Sequence, residues 1–207
     1  MNRKVFACLI FALLMIMLTP IVTQAGDPEK PEVIDRIRDV KLFGFLTIPF
    51  QQEYKYVDIV AAWFCEETTN PDYLYVCLQL RDLLERTEEL EAIYDVFWSD
   101  NAHNGFIACV HVNPTGVRSF IIGESTDADD DMEKWTECEG LLDAENDILT
   151  WIVPKQLIGD PPIGWQLTNI LPSTHLRYTD DSGKPLTDLF KDLPWNAKET
   201  NNYRIKY

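Results

Sequence analysis

The sequence predicts an all-β protein, an antiparallel β-sandwich of about nine strands with one short helix. Three observations carry that expectation. Short runs rich in β-branched and aromatic residues recur along the chain, a composition that suits a pleated, packed surface. Residues 73–80 alternate with a period of two: Leu74, Val76, Leu78 and Leu80 point one way, Tyr73, Tyr75, Cys77 and Gln79 the other. Gly, Pro, Asn and Asp fall between the runs, where turns need them. A closed barrel is the alternative arrangement of the same strands.

The chain opens with Asn2, Arg3 and Lys4, then an apolar run over 5–18, then small residues in Thr23-Gln24-Ala25. A charged start, a short apolar core and a small-residue exit define a secretory signal over 1–25. The alternative is an uncleaved anchor, although the run is short for a span and Pro20 follows it. Both place the remainder outside the cytoplasm. No second apolar stretch is long enough to cross a bilayer. Residues 26–39 read as a polar leader and 40–207 as a single domain with a long polar C-terminal segment. Without residues 1–25 the chain has 182 residues, and 16 cations face 34 acids, a net −18 against −16 for the whole sequence. Such a surface repels nucleic acid and anionic lipid and favours cations, basic partners or neutral ligands.

Cys8 leaves with the signal, so Cys65, Cys77, Cys109 and Cys138 remain. An even number in an oxidising compartment implies two disulfides, with three connectivities open. A turn centred on Asn70 sets Cys65 opposite Tyr75 and leaves Cys77 two residues, roughly 7 Å, out of register. A bridge needs Cα atoms within about 7 Å, so this register favours Cys109 or Cys138 as the partner of each. A shift of the turn by one residue brings Cys65 and Cys77 face to face. No C-x-x-C spacing supports a metal site instead.

Taken in order, residues 32–38 form a short helical turn or stay loose, and 40–48 read as a first strand with Gly44 at a bulge. Residues 57–65 are apolar almost throughout, which suits a strand covered on both faces. Residues 68–72 carry turn chemistry, and 73–80 complete a hairpin. Residues 82–91 are the helix candidate, with Asp82 and Glu85 in a capping pattern. Further strands follow at 93–98, 106–112 and 117–122, the last two joined across Asn113-Pro114-Thr115-Gly116. Residues 135–139 are a weaker strand and 148–153 a clear one ended by Pro154. Residues 155–158 make one helical turn stopped by Gly159. Strands at 165–171 and 203–207 flank a polar segment, 172–202, with little periodicity.

Three pieces together resemble a known family. They are Asp72-Tyr73-Leu74-Tyr75-Val76 leading to Arg81-Asp82, then Tyr94-Asp95-Val96-Phe97-Trp98, then residues 148–155 leading to Ile158-Gly159. Their order resembles secreted β-sandwich domains related to family 9 carbohydrate-binding modules and DOMON-like domains, over residues 40–171. The resemblance implies a fold first and carbohydrate binding second; no binding residue carries over from it.

Two clusters point to binding. Asp127, Asp129, Asp131 and Glu133 supply closely spaced hard oxygens of the kind calcium takes, although Met132 and Cys138 occupy positions that an EF-hand loop gives to Gly and Glu. Calcium is therefore the candidate ion, and a solvated acidic loop is the plain alternative. Tyr73, Tyr75, Trp98, Trp135 and Trp165 are candidate ligand-stacking rings, with Trp195 a further loop ring, while Trp63 and Trp151 sit within apolar strands as core. Ordinary packing is the competing role for the rings.

Catalytic patterns are poor. His103, His111 and His175 show no metalloprotease spacing, and there is no G-x-S-x-G elbow or phosphate-binding Gly loop. With 34 acids some carboxylate pair is inevitable, so a pair says nothing about glycoside hydrolysis. The expectation is a non-catalytic, exported module that binds an extracellular glycan or another ligand, with calcium as a stabilising ion. A cell-surface protein-interaction module is the alternative, and a small hydrolase ranks third.

Overall fold

A computed structural model describes residues 29–35, 37, 40–42, 46–47, 54–87, 90–125, 134–179, 185–192 and 199–207. The signal segment, the acidic run 127–133 and Trp195 lie outside the described residues.

The strands are β1 (Val33–Ile34), β2 (Lys41–Leu42), β3 (Leu46–Thr47), β4 (Ile59–Glu67), β5 (Asn70–Leu80), β6 (Glu91–Ser99) and β7 (Gly105–Asn113). They continue as β8 (Gly116–Ser125), β9 (Lys134–Asp143), β10 (Ile148–Pro154), β11 (Gln166–Thr179), β12 (Pro185–Asp192), β13 (Glu199–Thr200) and β14 (Tyr203–Arg204). The all-β antiparallel class is as expected. The layers belong to one hydrogen-bonded sheet, which curls in the order β13-β1-β4-β5-β10-β9-β8-β7-β6-β11-β12-β2-β3, with β14 on β11. β6 to β10 form a meander. β5 adds to one side of it and β11 to the other.

Curling brings β4 into contact with β11, and Thr174 Oγ1 donates to Val57 O at 2.5 Å. The inner faces enclose one core, in which Phe64 of β4 meets Trp98 of β6 edge-on at 5.3 Å. Burying a large side chain of this kind is worth about 1.5–3 kcal/mol. β4 and β5 are apolar outward as well: Ala61, Trp63, Cys65, Tyr75 and Cys77 form a second buried cluster. That explains why 57–65 is apolar almost throughout. Cys65 does oppose Tyr75.

Several expectations need correction. Residues 81–87 are not helical. Their donors are used elsewhere: Arg81 N on Asp58 O, Leu83 N on Asp147 Oδ1, Thr87 N on Asn113 O. Of the two helical turns, Lys55–Val57 and Lys155–Ile158, the second was expected, and Gly159 ends it at φ 80°. The strand at 40–48 is instead the antiparallel pair β2–β3. Asn70 and Pro71 belong to β5, and Thr68-Thr69 make the turn. The segment after 171 continues as β11, β12 and β13. β11 runs through Pro172 because its pairing with β12 begins only at Thr174, so that flank asks no ladder bond of the proline.

The expected disulfides are absent: Cys65, Cys77, Cys109 and Cys138 form no disulfide, none lying within bonding distance of another. Cys65 and Cys77 are diagonal neighbours on the outer face, not opposed. Cys109 faces Ile121 outside the sheet, whereas Cys138 pairs with Phe120 on the core side. Burial pushes the Cys138 thiol up to about 11, and the Cys77 thiol together with burial pushes Cys65 higher still.

Tyr94 Oη, Trp98 Nε1 and Trp151 Nε1 are buried with no hydrogen-bond partner among the described residues. An unmade buried hydrogen bond costs about 1–3 kcal/mol. Tyr94→Phe is therefore expected to keep or raise stability, by about 1 kcal/mol, in urea unfolding. A loss of that size would show that the hydroxyl has a partner.

Candidate ligand-binding site

The last residues of the chain tie the β1 edge of the curled sheet to β11. β13 pairs with β1 through Val33↔Thr200, and β14 pairs with β11 through Leu167↔Tyr203. Residues 199–207 are thus a strap across the seam, and Asn201-Asn202 is its crossing point. Asn201 N donates to Glu32 O at 2.7 Å.

Opposite the crossing, β11 carries a bulge. Thr168 pairs with Ser99 and Leu171 with Phe97, so β11 has one residue more than β6 there. Asn169 takes φ 53°, a left-handed conformation that non-glycine residues seldom adopt and that Asn tolerates best. Its Nδ2 lies 3.5 Å from Ser99 Oγ. Bulges commonly re-aim side chains beside functional sites. Between strap and bulge lies an open groove of about 360 Å³ lined by Asn169, Ile170, Leu171, Asn201 and Asn202. That volume is at the small end of ligand pockets, about 300–1,000 Å³.

The lining defines the chemistry. Each Asn amide offers two N–H donors and a carbonyl acceptor. Leu171, 43% exposed, adds an apolar surface. Among the described residues no charged side chain lines the groove. Such a site suits a neutral, hydroxyl-rich ligand, because adjacent hydroxyls both donate and accept.

The strap's far end is held by Glu66. This residue continues the inward series Ala62–Phe64 on β4, and its side chain is fully buried. Lys155 Nζ lies 2.5 Å from Oε1, to which Tyr207 N also donates at 3.3 Å. Oε2 accepts from Tyr203 Oη at 3.0 Å and Lys206 N at 2.6 Å. Lys155 Nζ also donates to Tyr207 O. Burial, then the adjacent Glu66 carboxylate, holds the Tyr203 phenol far above its ordinary range, so it stays a donor. Nothing in the sequence marked this cluster, since Glu66 sits in a polar strand end.

The five candidate rings do not assemble. Trp98 is fully buried, stacked on Phe106 at 5.9 Å, and so is core. Tyr75 is buried in the outer cluster, its hydroxyl accepting from Asn70 Nδ2 at 3.2 Å. Tyr73 packs beside it. Trp165 packs against the main core, and Trp135 stands 43% exposed on β9. None lines the groove. Asp127, Asp129, Asp131 and Glu133 lie outside the described residues, among which no cluster of three metal-ligating side chains occurs.

The histidines act as packing groups. His111 Nδ1 meets Glu91 Oε1 at 3.1 Å on the outer face. His175 Nε2 lies 3.7 Å from Asp95 Oδ2 and 3.4 Å from Ser173 Oγ. One ring nitrogen faces both neighbours, so the three do not form a hydrolytic relay, which needs the two nitrogens to serve different partners. Burial raises the Asp95 carboxyl, against the opposing pull of Cys109 and His175.

Comparisons with protein-family models, with curated proteins and with solved structures return no match. Among the described residues no helix is long and apolar enough to cross a membrane.

Proposed function

We propose that the protein is an exported, non-catalytic β module that binds a neutral carbohydrate in the seam groove. The observation that carries this reading is the charge-free lining by three Asn amides, one of them held at φ 53° in a bulge. Backbone strain kept at such a position supports a functional role. The strongly acidic chain disfavours an anionic ligand, and the resemblance to carbohydrate-binding modules points the same way.

The test is calorimetric titration with cellohexaose, chitohexaose, laminarihexaose and mannohexaose. At least one is expected to bind. Asn201→Ala and Asn169→Gly are each expected to weaken it about tenfold, the equivalent of one lost hydrogen bond. Glycine at 169 removes the amide while accepting the positive φ. Failure of all four sugars to bind, or affinities indifferent to both substitutions, would contradict the reading.

Calcium belongs to the proposal as a stabilising ion on Asp127, Asp129, Asp131 and Glu133. The expected result is a Tm that rises with Ca²⁺ and falls with chelator, and an unchanged Tm removes the ion from the account.

A second reading, a surface protein-interaction module, draws on Trp135 and Leu141, which β9 leaves 43% and 52% exposed. It predicts a partner lost with Trp135→Ala and no sugar binding.

A further inference from the structure

We infer that Glu66 and Lys155, which do not line the groove, are positioning residues for its Asn201-Asn202 wall. The inference rests on the reading of the groove as a ligand site, and it adds the way that site is held in shape.

The groove has two walls of unequal security. Asn169, Ile170 and Leu171 belong to β11, which pairs with β6 over a long ladder. Asn201 and Asn202 lie between β13 and β14, each only two residues long. Strands that short contribute few ladder bonds, and segments with few bonds open locally at low cost. The wall's position is therefore set by what holds the strap on either side.

Upstream the hold is slight: the β1 ladder and Asn201 N on Glu32 O. Downstream it is concentrated. Ile205 N donates to Trp165 O at 2.9 Å and Gly164 N to Ile205 O at 2.8 Å. Glu66 then gathers Tyr203 Oη, Lys206 N, Tyr207 N and Lys155 Nζ on one buried carboxylate. Tyr203 packs on Phe64 at 5.7 Å, tying the strap to the core. Releasing the strap strips a buried charge of three of its four donors, which is strongly unfavourable.

The consequence for binding is quantitative. When only a fraction of molecules has the wall in place, apparent affinity falls by that fraction. Linkage makes the effect reciprocal, so a bound ligand must also slow opening of the strap.

The experiment combines native-state hydrogen exchange with titration of the same four hexasaccharides. Two variants are used, Glu66→Gln and Tyr203→Phe. The second removes one hydroxyl, keeps the ring on Phe64, and carries the test should Glu66→Gln not fold. Measurements are made well below each variant's Tm. Expected are exchange faster by about tenfold or more at the amides of 201–205, unchanged exchange in β6 and β7, and sugar binding weakened by the loss of closed fraction that the exchange rates report. In the wild type, a bound hexasaccharide is expected to slow exchange at 201–205. Equal acceleration in every strand would mean a merely structural role and overturn the inference. So would unchanged strap exchange, or unaltered affinity in a variant whose exchange shows the strap open in half or more of the molecules. If no sugar binds at all, the proposed function fails. The side-chain amide resonances of Asn201 and Asn202 then decide the positioning role: shifted in both variants they sustain it, unshifted they end it.

Discussion

Lys155→Met is expected to lower stability by about 3–5 kcal/mol, the range for breaking a buried ion pair by removing one partner. The size of the loss comes from what remains. Glu66 keeps a fully buried carboxylate but loses its one cationic partner among the described residues, and Tyr207 O loses its Lys155 donor. For a domain stable by about 5–15 kcal/mol, that is a large share of the total. Adding Glu66→Gln in the same chain removes the stranded charge, so the double variant is expected to be more stable than Lys155→Met alone. Urea unfolding of the three proteins makes the comparison. A loss below about 1 kcal/mol for Lys155→Met would place the pair with exposed bridges, which contribute little.

Gly140→Ala is expected to cost about 1–3 kcal/mol through overpacking. Gly140 on β9 lies opposite Trp151, and the Phe120 ring lies over it. A Cβ at 140 would stand 2.6 Å from Phe120 Cδ2 and closer still to Cγ and Cδ1. The ring cannot swing aside freely, because Trp151 meets it edge-on at 5.9 Å. Real Cβ atoms do not approach rings so closely, so either the ring or β9 must shift. The mechanism has a signature in a double-mutant cycle. With Phe120→Leu already in place, the cost of Gly140→Ala should largely vanish. Additive losses would mean that the two positions do not share the space.

Much of the fold was legible, and the reason is local. On β5, β6, β7 and β10 one face meets the core, so apolar residues recur with period two and Gly or Asn marks the turns. The Cys65–Tyr75 register was expected from a turn centred on Asn70; the turn falls earlier, at Thr68-Thr69, and an irregularity after Cys65 absorbs the difference. Illegible parts depend on distant neighbours. The helix expected at 82–91 had a sound capping pattern, but Asn113, 26 residues away from Thr87, takes the donor that a helix would give to Leu83 O. β11 runs on past Pro172 because β12 ends opposite Thr174, among the described residues. Disulfides were inferred from number and compartment, neither of which says which face of a strand a cysteine occupies.

The site was legible only in kind. Aromatic rings are easy to see in a sequence, yet Trp98 proved to be core and the other four stand apart. Asn169 lay within an expected strand and Asn201 and Asn202 in a polar segment without periodicity, and only the curl of the sheet sets them around one groove. A doubled Asn before a terminal strand, with a third Asn inside an otherwise apolar strand, was the one local signal available.

The most direct measurement is a map of amide chemical shifts of isotopically labelled protein titrated with the neutral hexasaccharide panel. The account predicts that the side-chain amides of Asn169, Asn201 and Asn202 move together and saturate with one affinity. Shifts centred instead on Trp135 and Leu141, or no saturable shift with any of the four sugars, would contradict it.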